Sequence, residues 1–526
     1  MNNFLRLYWL KLLLFLALFA IALRVGNFFS ALDYDEIWTM TYFSSKGVKA
    51  IFTELSLPNN QVLNSLCVKG ALALGLPVWG IRLHSLIAGL LAVMLMVPIG
   101  IRFGKTRGAG FWSAVFLLCS APAAIYSQLA RGYELQLFFL LLYTWGLLYV
   151  PVKKFHILAL GAVAAGGLGA VLTLPTSVIY LGCITCAAFI QRPKLPEKEL
   201  LVLLGAGVVF CALWYGLNYQ QFREGQQFGT VINSHRELLS FSFKTLDALI
   251  PLLWCPFIAV GFAALPIRRS GAVAGIIAVV LLSALLTRGG PERVYIPLAA
   301  CGALLCGAGA DRFCRKLSSL KPLYGAAAAF AVLLCAAGGF YANTASWTPT
   351  DWYALFAKGE SYEKNTLVIY SGTNGFPVMW NNQPRSIEDN ASRISGGILE
   401  KMVSFTSDSV LNGVDEKFNE QTLPLKNKGL TVDGGFLYGL ELITVPEEGD
   451  EVILVISQEQ KVIADHTLAA LMPTGRFLRL NIFFEDNSAT GKHSSIRGGI
   501  VDKSSLFDWK KLPESMKLYR IKTVKE

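Results

Sequence analysis

Leu7-Tyr-Trp-Leu-Lys-Leu-Leu-Leu-Phe-Leu-Ala-Leu-Phe-Ala-Ile-Ala-Leu-Arg-Val-Gly-Asn-Phe-Phe29, followed at once by Ala31-Leu-Asp-Tyr-Asp-Glu-Ile-Trp-Thr39, decides how the rest of the chain is read. The first stretch is apolar over the roughly 20 residues that a bilayer crossing needs. It is preceded by Arg6, interrupted early by Lys11, and ends without a small-residue cleavage site. An uncleaved anchor with a cytoplasmic N-terminus is therefore expected. Three acids, Asp33, Asp35 and Glu36, then stand directly after a membrane exit.

Outward from this anchor, further apolar spans are expected at about 82–103, 108–127, 134–150, 157–175, 177–191, 200–217, 246–266, 270–287, 294–310 and 322–341, about eleven crossings in all. The loops that then face the cytoplasm carry Arg102/Lys105/Arg107, Lys153/Lys154, Arg192/Lys194/Lys198, Arg268/Arg269 and Arg312/Arg315/Lys316/Lys321. Every one is basic, as orientation in a bilayer requires. The apolar stretch Val62 to Trp79 would invert all later loops if it crossed, so it reads as an interfacial helix in a first outer loop of about 30–81. The hairpin at 157–191, parted only by Thr173-Leu-Pro-Thr176, is expected as two spans.

Composition agrees with a polytopic α-helical membrane protein. Of 526 residues, 53% are hydrophobic and 16% charged, against about 25% charged in soluble domains. The net charge of +11 would suggest nucleic acid if it lay on one soluble face, but 27 Lys/Arg against 12 Asp/Glu fall before residue 342 and 20 against 24 after it. The positive excess thus belongs to the membrane half and its short loops. Ten cysteines, all before residue 336, are scattered through apolar stretches and show no metal or haem spacing.

Residues 342–526 change character, with polar composition and regular Asn, Asp, Gly and Pro. Thr366–Tyr370, Glu451–Ile456 and Arg476–Phe484 read as strands, and Asp351–Lys358 and Ile394–Val403 as helical pattern. Two domains follow: a membrane domain of 1–341 and a soluble mixed α/β domain of 342–526, which the topology puts outside.

Nine of the twelve carboxylates in the membrane half also lie outside in this topology, among them Asp33, Asp35, Glu36, Glu134 and Glu292. Acids contribute little to orientation, so chemistry at the outer face or plain loop solvation must account for them. Three outer motifs carry the candidates. In the first, Asp35 and Glu36 suit a general base or metal ligand, or an N-cap with an acid in the first helical turn; Asp33 and the amides of Pro58-Asn-Asn-Gln61, Asn59 and Asn60, could meet sugar hydroxyls or cap a helix. In the second, Tyr126-Ser-Gln-Leu-Ala-Arg-Gly-Tyr-Glu-Leu-Gln136, Arg131 with Tyr133 offers forked donors to a phosphate, or Arg131 simply snorkels. The third, Arg288-Gly-Gly-Pro-Glu-Arg-Val-Tyr-Ile-Pro297, supplies Arg288, Arg293 and Tyr295 to an anion-binding rim or to a solvated hairpin.

Taken in order, Leu32-x-x-Asp35-Glu36-x-x-Thr39, Pro58-Asn-Asn-x-x-Leu63, Arg82-Leu-His-Ser85-x-x-x-Gly89, Ser120-x-Pro122-x-x-x-Tyr126-Ser-Gln-x-Ala-Arg131-x-Tyr133-x-Leu135 and Arg293-x-Tyr295-x-Pro297 resemble the bacterial dolichyl-phosphate-mannose-protein mannosyltransferase-like family. These are GT-C-fold glycosyltransferases related to the lipid A aminoarabinose transferases, and the resemblance spans roughly residues 30–300. It implies an inverting transfer of one sugar from a polyprenyl-phosphate donor to a lipid, glycan or protein acceptor. The setting implied is the outer face of the bacterial cytoplasmic membrane, with the C-terminal domain periplasmic. By the same resemblance Asp35 matches the catalytic Asp and Glu36 its neighbour, while Arg131, Tyr133, Arg293 and Tyr295 match phosphate-contacting positions. Two departures bear on the acceptor: Asn59-Asn60-Gln61 replaces a His-Pro-Pro-like segment, and Glu134, an acid where relatives carry a small apolar residue, would be a second carboxylate. No cofactor is indicated with certainty and metal dependence stays open: a divalent metal would find Asp35 and Glu36, too few ligands to define a site. The competing reading is a transporter or flippase for an anionic polyprenyl-linked lipid, against which stands the avoidance of span centres by ionisable residues.

Overall fold

The computed structural model describes residues 2–347, apart from 31, 34, 37–38, 45–46, 57–59, 192–197, 226–231, 233 and 288–290, and beyond 347 it describes eleven β strands. The chain divides into two compact units, Met1–Phe29 with Trp38–Thr348, and Ser30–Ile37 with Pro349–Glu526.

The first unit is helical: α1 (Asn2–Val25), α2 (Val48–Thr53), α3 (Val62–Ala73), α4 (Leu83–Gly104), α5 (Arg107–Leu118), α6 (Ala121–Tyr126), α7 (Gly132–Tyr149), α8 (His156–Thr173), α9 (Ser177–Ile190), α10 (Lys198–Leu217), α11 (Tyr219–Gly225), α12 (His235–Leu249), α13 (Cys255–Ala264), α14 (Ile267–Thr287), α15 (Pro297–Leu320) and α16 (Pro322–Trp347). A helix of 22 residues such as α4 rises about 33 Å, enough for the hydrocarbon core. Lys105, in left-handed conformation at φ 64°, ends it, and Thr106 starts α5 by accepting the Ala109 N–H at 3.0 Å, so the turn needs two residues.

Among the described residues five helical segments are long and apolar enough to cross a membrane: Trp79–Gly104, Lys153–Thr173, Lys198–Leu217, Ile267–Ala284 and Pro322–Thr344. A sixth arises if the pair Arg236–Leu249 and Leu252–Ala264, bent by 75°, counts as one span. The difference from about eleven has local causes. The expected span 108–127 is broken at Cys119–Ser120, because Ser120 precedes Ala121-Pro122 and a proline in a first turn starts a new helix. The resulting α5 has 12 residues and α9 has 14, giving rises of about 18 and 21 Å. The hairpin at 157–191 forms two helices, α8 and α9. Val62–Trp79 forms the 12-residue α3 and then a 3-10 turn at Val78–Arg82, too short to cross.

The core is built from α4, α5, α7 and α15, where Val93, Met96, Trp112, Phe116, Leu137, Leu140 and Ala303 are buried together. Small residues allow close crossings: a Cβ at Gly261 of α13 would strike the Leu305 carbonyl of α15, and one at Gly309 would strike the Phe257 carbonyl. In contrast, α10 exposes Val202, Val208, Val209, Leu213 and Leu217 along its length, an apolar surface that lipid would cover.

In the second unit, β2 (Thr366–Ser371) lies parallel to β5 (Glu451–Ser457) and antiparallel to β9 (Ile496–Val501), with β11 (Met516–Lys522) on the far side of β5. A second sheet orders β3 (Lys401–Phe405), β4 (Phe436–Thr444), β8 (Leu478–Asp486) and β6 (Gln460–Val462), with β7 (Leu468–Leu471) also on β8. The helical pattern read at Ile394–Val403 is corrected where it is described: Lys401–Val403 pairs with Gly439–Glu441, and strand pairing overrides the local period. Asp351–Lys358 lies outside the described residues.

Candidate functional site

The second motif is held from three directions. Arg131 stands at the N-cap of α7 in extended conformation, and its carbonyl accepts the Ser85 hydroxyl at 3.2 Å. The preceding carbonyl, Ala130, accepts the Asn64 amide at 3.1 Å, and the next N–H, Gly132, donates to Gln61 Oε1 at 2.5 Å. His84 Nε2 lies 2.7 Å from Asn64 Oδ1 and braces that amide in turn. Side-chain hydrogen bonds to three successive backbone groups of this loop set the direction of Arg131 and Tyr133.

Those two side chains are buried, at 2% and 4% exposure. Arg293 arrives from the 3-10 turn Glu292–Tyr295, and its Nε donates to the Tyr133 hydroxyl at 2.9 Å. Arg131 Nη2 donates to the same oxygen at 3.4 Å, and the two guanidiniums lie 5.5 and 5.9 Å from the Tyr133 ring centre. The ring itself is wedged edge-on by Tyr126 at 5.0 Å. One phenolic oxygen thus draws in two cations, and with its lone pairs so used, its proton is left to donate. Two like charges gathered on one oxygen, with a hydroxyl proton beside them, form a donor set matched to a phosphate.

Tyr295 packs against a different ring. Residues two apart on a 3-10 turn point in different directions, and its buried ring packs against Phe241 at 5.4 Å. Asn60 has a bracing part instead of an open amide: Nδ2 donates to the Ile51 and Glu54 carbonyls at 2.9 and 2.8 Å, and Oδ1 accepts the Ser65 hydroxyl at 3.0 Å. Asn59 and Arg288 lie outside the described residues.

The acidic segment belongs to the other compact unit. There Glu36 Oε2 accepts the Asp33 N–H at 2.9 Å, the return bond of a capping box. Glu36 is buried, whereas Asp35 is half-buried. Among the described residues no three His, Cys, Asp or Glu side chains converge as a metal site.

Glu134 is placed inside the helices, not at a surface. It is fully buried, and neither carboxylate oxygen has a hydrogen-bond partner among the described residues. Across Gly89 lies Arg24, equally buried, with all three guanidinium nitrogens lacking a hydrogen-bond partner among the described residues. A Cβ on Gly89 would stand 2.6 Å from the Ser127 Cβ, 3.1 Å from Glu134 Oε1 and 3.3 Å from Arg24 Nε, so the helix passes between these side chains without strain only with a glycine there. The sequence drew no attention to Arg24 or Asn64, whose parts depend on contacts far along the chain, and Gln61, one of the amides of Pro58–Gln61, braces the Arg131 loop through Gly132.

No protein-family model matches the chain, and no curated protein matches it by sequence. Among solved structures it is similar to the arabinofuranosyltransferase AftD from Mycobacteria, at 15% identity over 65% of this chain and 28% of that one, with a TM-score of 0.40. It is similar to the Archaeoglobus fulgidus oligosaccharyltransferase in the apo form, at 15% identity over 66% of this chain and 57% of that one, with a TM-score of 0.41. It is similar over most of its length to ArnT from Cupriavidus metallidurans bound to undecaprenyl phosphate, at 14% identity over 92% of this chain and 98% of that one, with a TM-score of 0.47.

Proposed function

We propose that the chain is an integral-membrane glycosyltransferase moving a single sugar, a hexose or pentose, from a polyprenyl-phosphate donor to a lipid, glycan or protein acceptor. The observation that carries this reading is the convergence of Arg131 and Arg293 on the Tyr133 hydroxyl. Such a cradle neutralises charge where a phosphate departs. In the proposed reaction Asp35 takes the acceptor hydroxyl proton, and the acceptor oxygen attacks the anomeric carbon opposite the phosphate. The bond from that carbon to the phosphate oxygen breaks with inversion, and the polyprenyl phosphate leaves as an anion held by Arg131, Arg293 and the Tyr133 hydroxyl. If the acceptor is itself a phosphate, Asp35 orients it instead. Glu36 acts through the capping box that positions Asp35.

In this reading the N-terminus is cytoplasmic and residues 342–526 lie outside. A total of about eleven crossings requires broken pairs such as α5 and α6 to serve as single passes. The burial of Arg24 and Glu134 favours a second reading, transport of an anionic lipid without chemistry, because ionisable residues inside membrane helices commonly mark such pathways.

Purified protein incubated with radiolabelled polyprenyl-phosphate sugars and a membrane-lipid extract separates the two. Asp35→Asn is expected to abolish label transfer while donor binding persists, and Arg293→Ala to weaken that binding about tenfold or more. Normal turnover by Asp35→Asn would refute the assignment, and binding without turnover by the wild type would favour transport.

A further inference from the structure

Helices α4, α7, α9, α14 and α15 enclose a cleft of about 340 Å³ that no part of the proposed chemistry uses. Its walls are apolar for most of their length, from Tyr180 at one end to a mouth formed by Arg102, Lys105 and Arg269 with Gln191. Arg102 is fixed over the Tyr149 ring at 5.0 Å, and Arg269 Nη1 donates to the Phe103 carbonyl at 2.5 Å, which leaves its other donors available. Among the described residues no carboxylate pairs with any of the three. Basic residues gather on this face in any case; these three are distinguished by lining the mouth of an apolar cleft.

The depth of the cleft and a neighbouring groove identify the occupant. Tyr180 and Gln191 are eleven residues apart on α9 and its C-cap, so the cleft runs about 16 Å, close to half of the roughly 30 Å hydrocarbon core. It therefore matches one leaflet. On the other side of the α9–α14 contact runs a second apolar groove, which shares Ala187, Ala272 and Ile276 with the cleft and has Arg268 at the same basic end. Gly182, Gly271 and Gly275 keep it open, since a Cβ on any of them would meet nothing within 4 Å. Two apolar tracks that straddle one helix pair beneath a shared cluster of cations fit a two-chain lipid with an anionic head.

We propose that this face binds one anionic glycerophospholipid from the leaflet on the basic-loop side, with its phosphate on Arg102, Lys105 and Arg269, one acyl chain in the cleft and the other in the Gly182–Gly275 groove. The site is distinct from the Arg131–Tyr133–Arg293 cradle.

The test is native mass spectrometry of the full chain after equilibration with vesicles of equimolar phosphatidylglycerol, phosphatidylcholine and undecaprenyl phosphate. One phosphatidylglycerol per protein is expected, retained about tenfold or more over phosphatidylcholine. Arg102→Gln with Arg269→Gln is expected to remove that preference. Gly275→Phe, which enters open space and leaves every charge in place, is expected to lower retention of both two-chain lipids. Tyr180→Phe is expected to change nothing, since an acyl chain makes no demand on the hydroxyl. The proposal is overturned if phosphatidylcholine binds equally, if undecaprenyl phosphate displaces phosphatidylglycerol, if Gly275→Phe leaves retention untouched, or if Tyr180→Phe abolishes it.

Discussion

Two buried carboxylates stand near opposite ends of α4 and are treated in opposite ways. Near its C-terminal end, Asp311 of α15 accepts the Thr106 hydroxyl at 2.8 Å and pairs with Arg315 at 2.8 Å, tying the α4–α5 turn to α15. Near its N-terminal end, Glu134 of α7 faces Arg24 across Gly89, and neither side chain has a hydrogen-bond partner among the described residues. Asp311 is a lock with its valences filled, and part of its partner, 44% exposed, remains in solvent. The Arg24–Glu134 pair is held by packing alone, in surroundings where removing an ion from water costs several kcal/mol and only good hydrogen bonding repays it. Of the two carboxylates, the one that fastens helices to each other therefore lies at one end of α4, and the one without hydrogen bonds lies at the end that also carries the loop of Arg131.

The largest effect should come from breaking the tense pair on one side. Glu134→Gln leaves Arg24 buried without its counter-charge, and thermal unfolding in detergent should report a loss of about 3–5 kcal/mol. Arg24→Met combined with Glu134→Leu should restore stability to at least the wild-type level, because apolar replacements of buried pairs are commonly neutral or better. If the single change is silent, the two groups are not a charged pair. Next is Gly89→Ala, whose methyl lands 2.6 Å from the Ser127 Cβ as well as between the charges; a loss of about 1–3 kcal/mol is expected, reduced when both charges are absent. Coupling of that kind, measured as a double-mutant cycle, would sharpen the contrast. The smallest is Thr106→Val, which removes one cap and one bond to Asp311 at a cost of about 1–2 kcal/mol, and it should add independently to Glu134→Gln.

The sequence made the crossing helices legible where apolar length and basic ends coincide, as at 82–103. It also carried a signal for the break at Cys119–Ser120, since Ser120-Ala-Pro122 is a helix start, but a continuous apolar run outweighed it. Arg131, Tyr133 and Arg293 stood out by residue type, and the fold brings Arg293 to Tyr133 across 160 positions, a distance no spacing rule reaches. Asn60 looked like a ligand because its amide was visible, while the Ile51 and Glu54 carbonyls that occupy it were not. Arg24 was hidden for the opposite reason. A lone arginine near the end of an apolar stretch reads as one that snorkels to the interface, and only the packed structure shows it with no route to water.

That position of Arg24 has a consequence for biosynthesis. Glu134 is added to the growing chain about a hundred residues after Arg24, which at ribosomal rates is an interval of roughly 5–20 s. With α1 read as an anchor in the bilayer, its arginine has no Glu134 to meet during that time, and the side chain reaches for the nearby interface. On that reading α1 acquires its buried neighbour only when the α6–α7 segment is inserted. Truncated chains released before residue 134 should leave α1 as a loosely held anchor, open to membrane proteases that the finished bundle excludes.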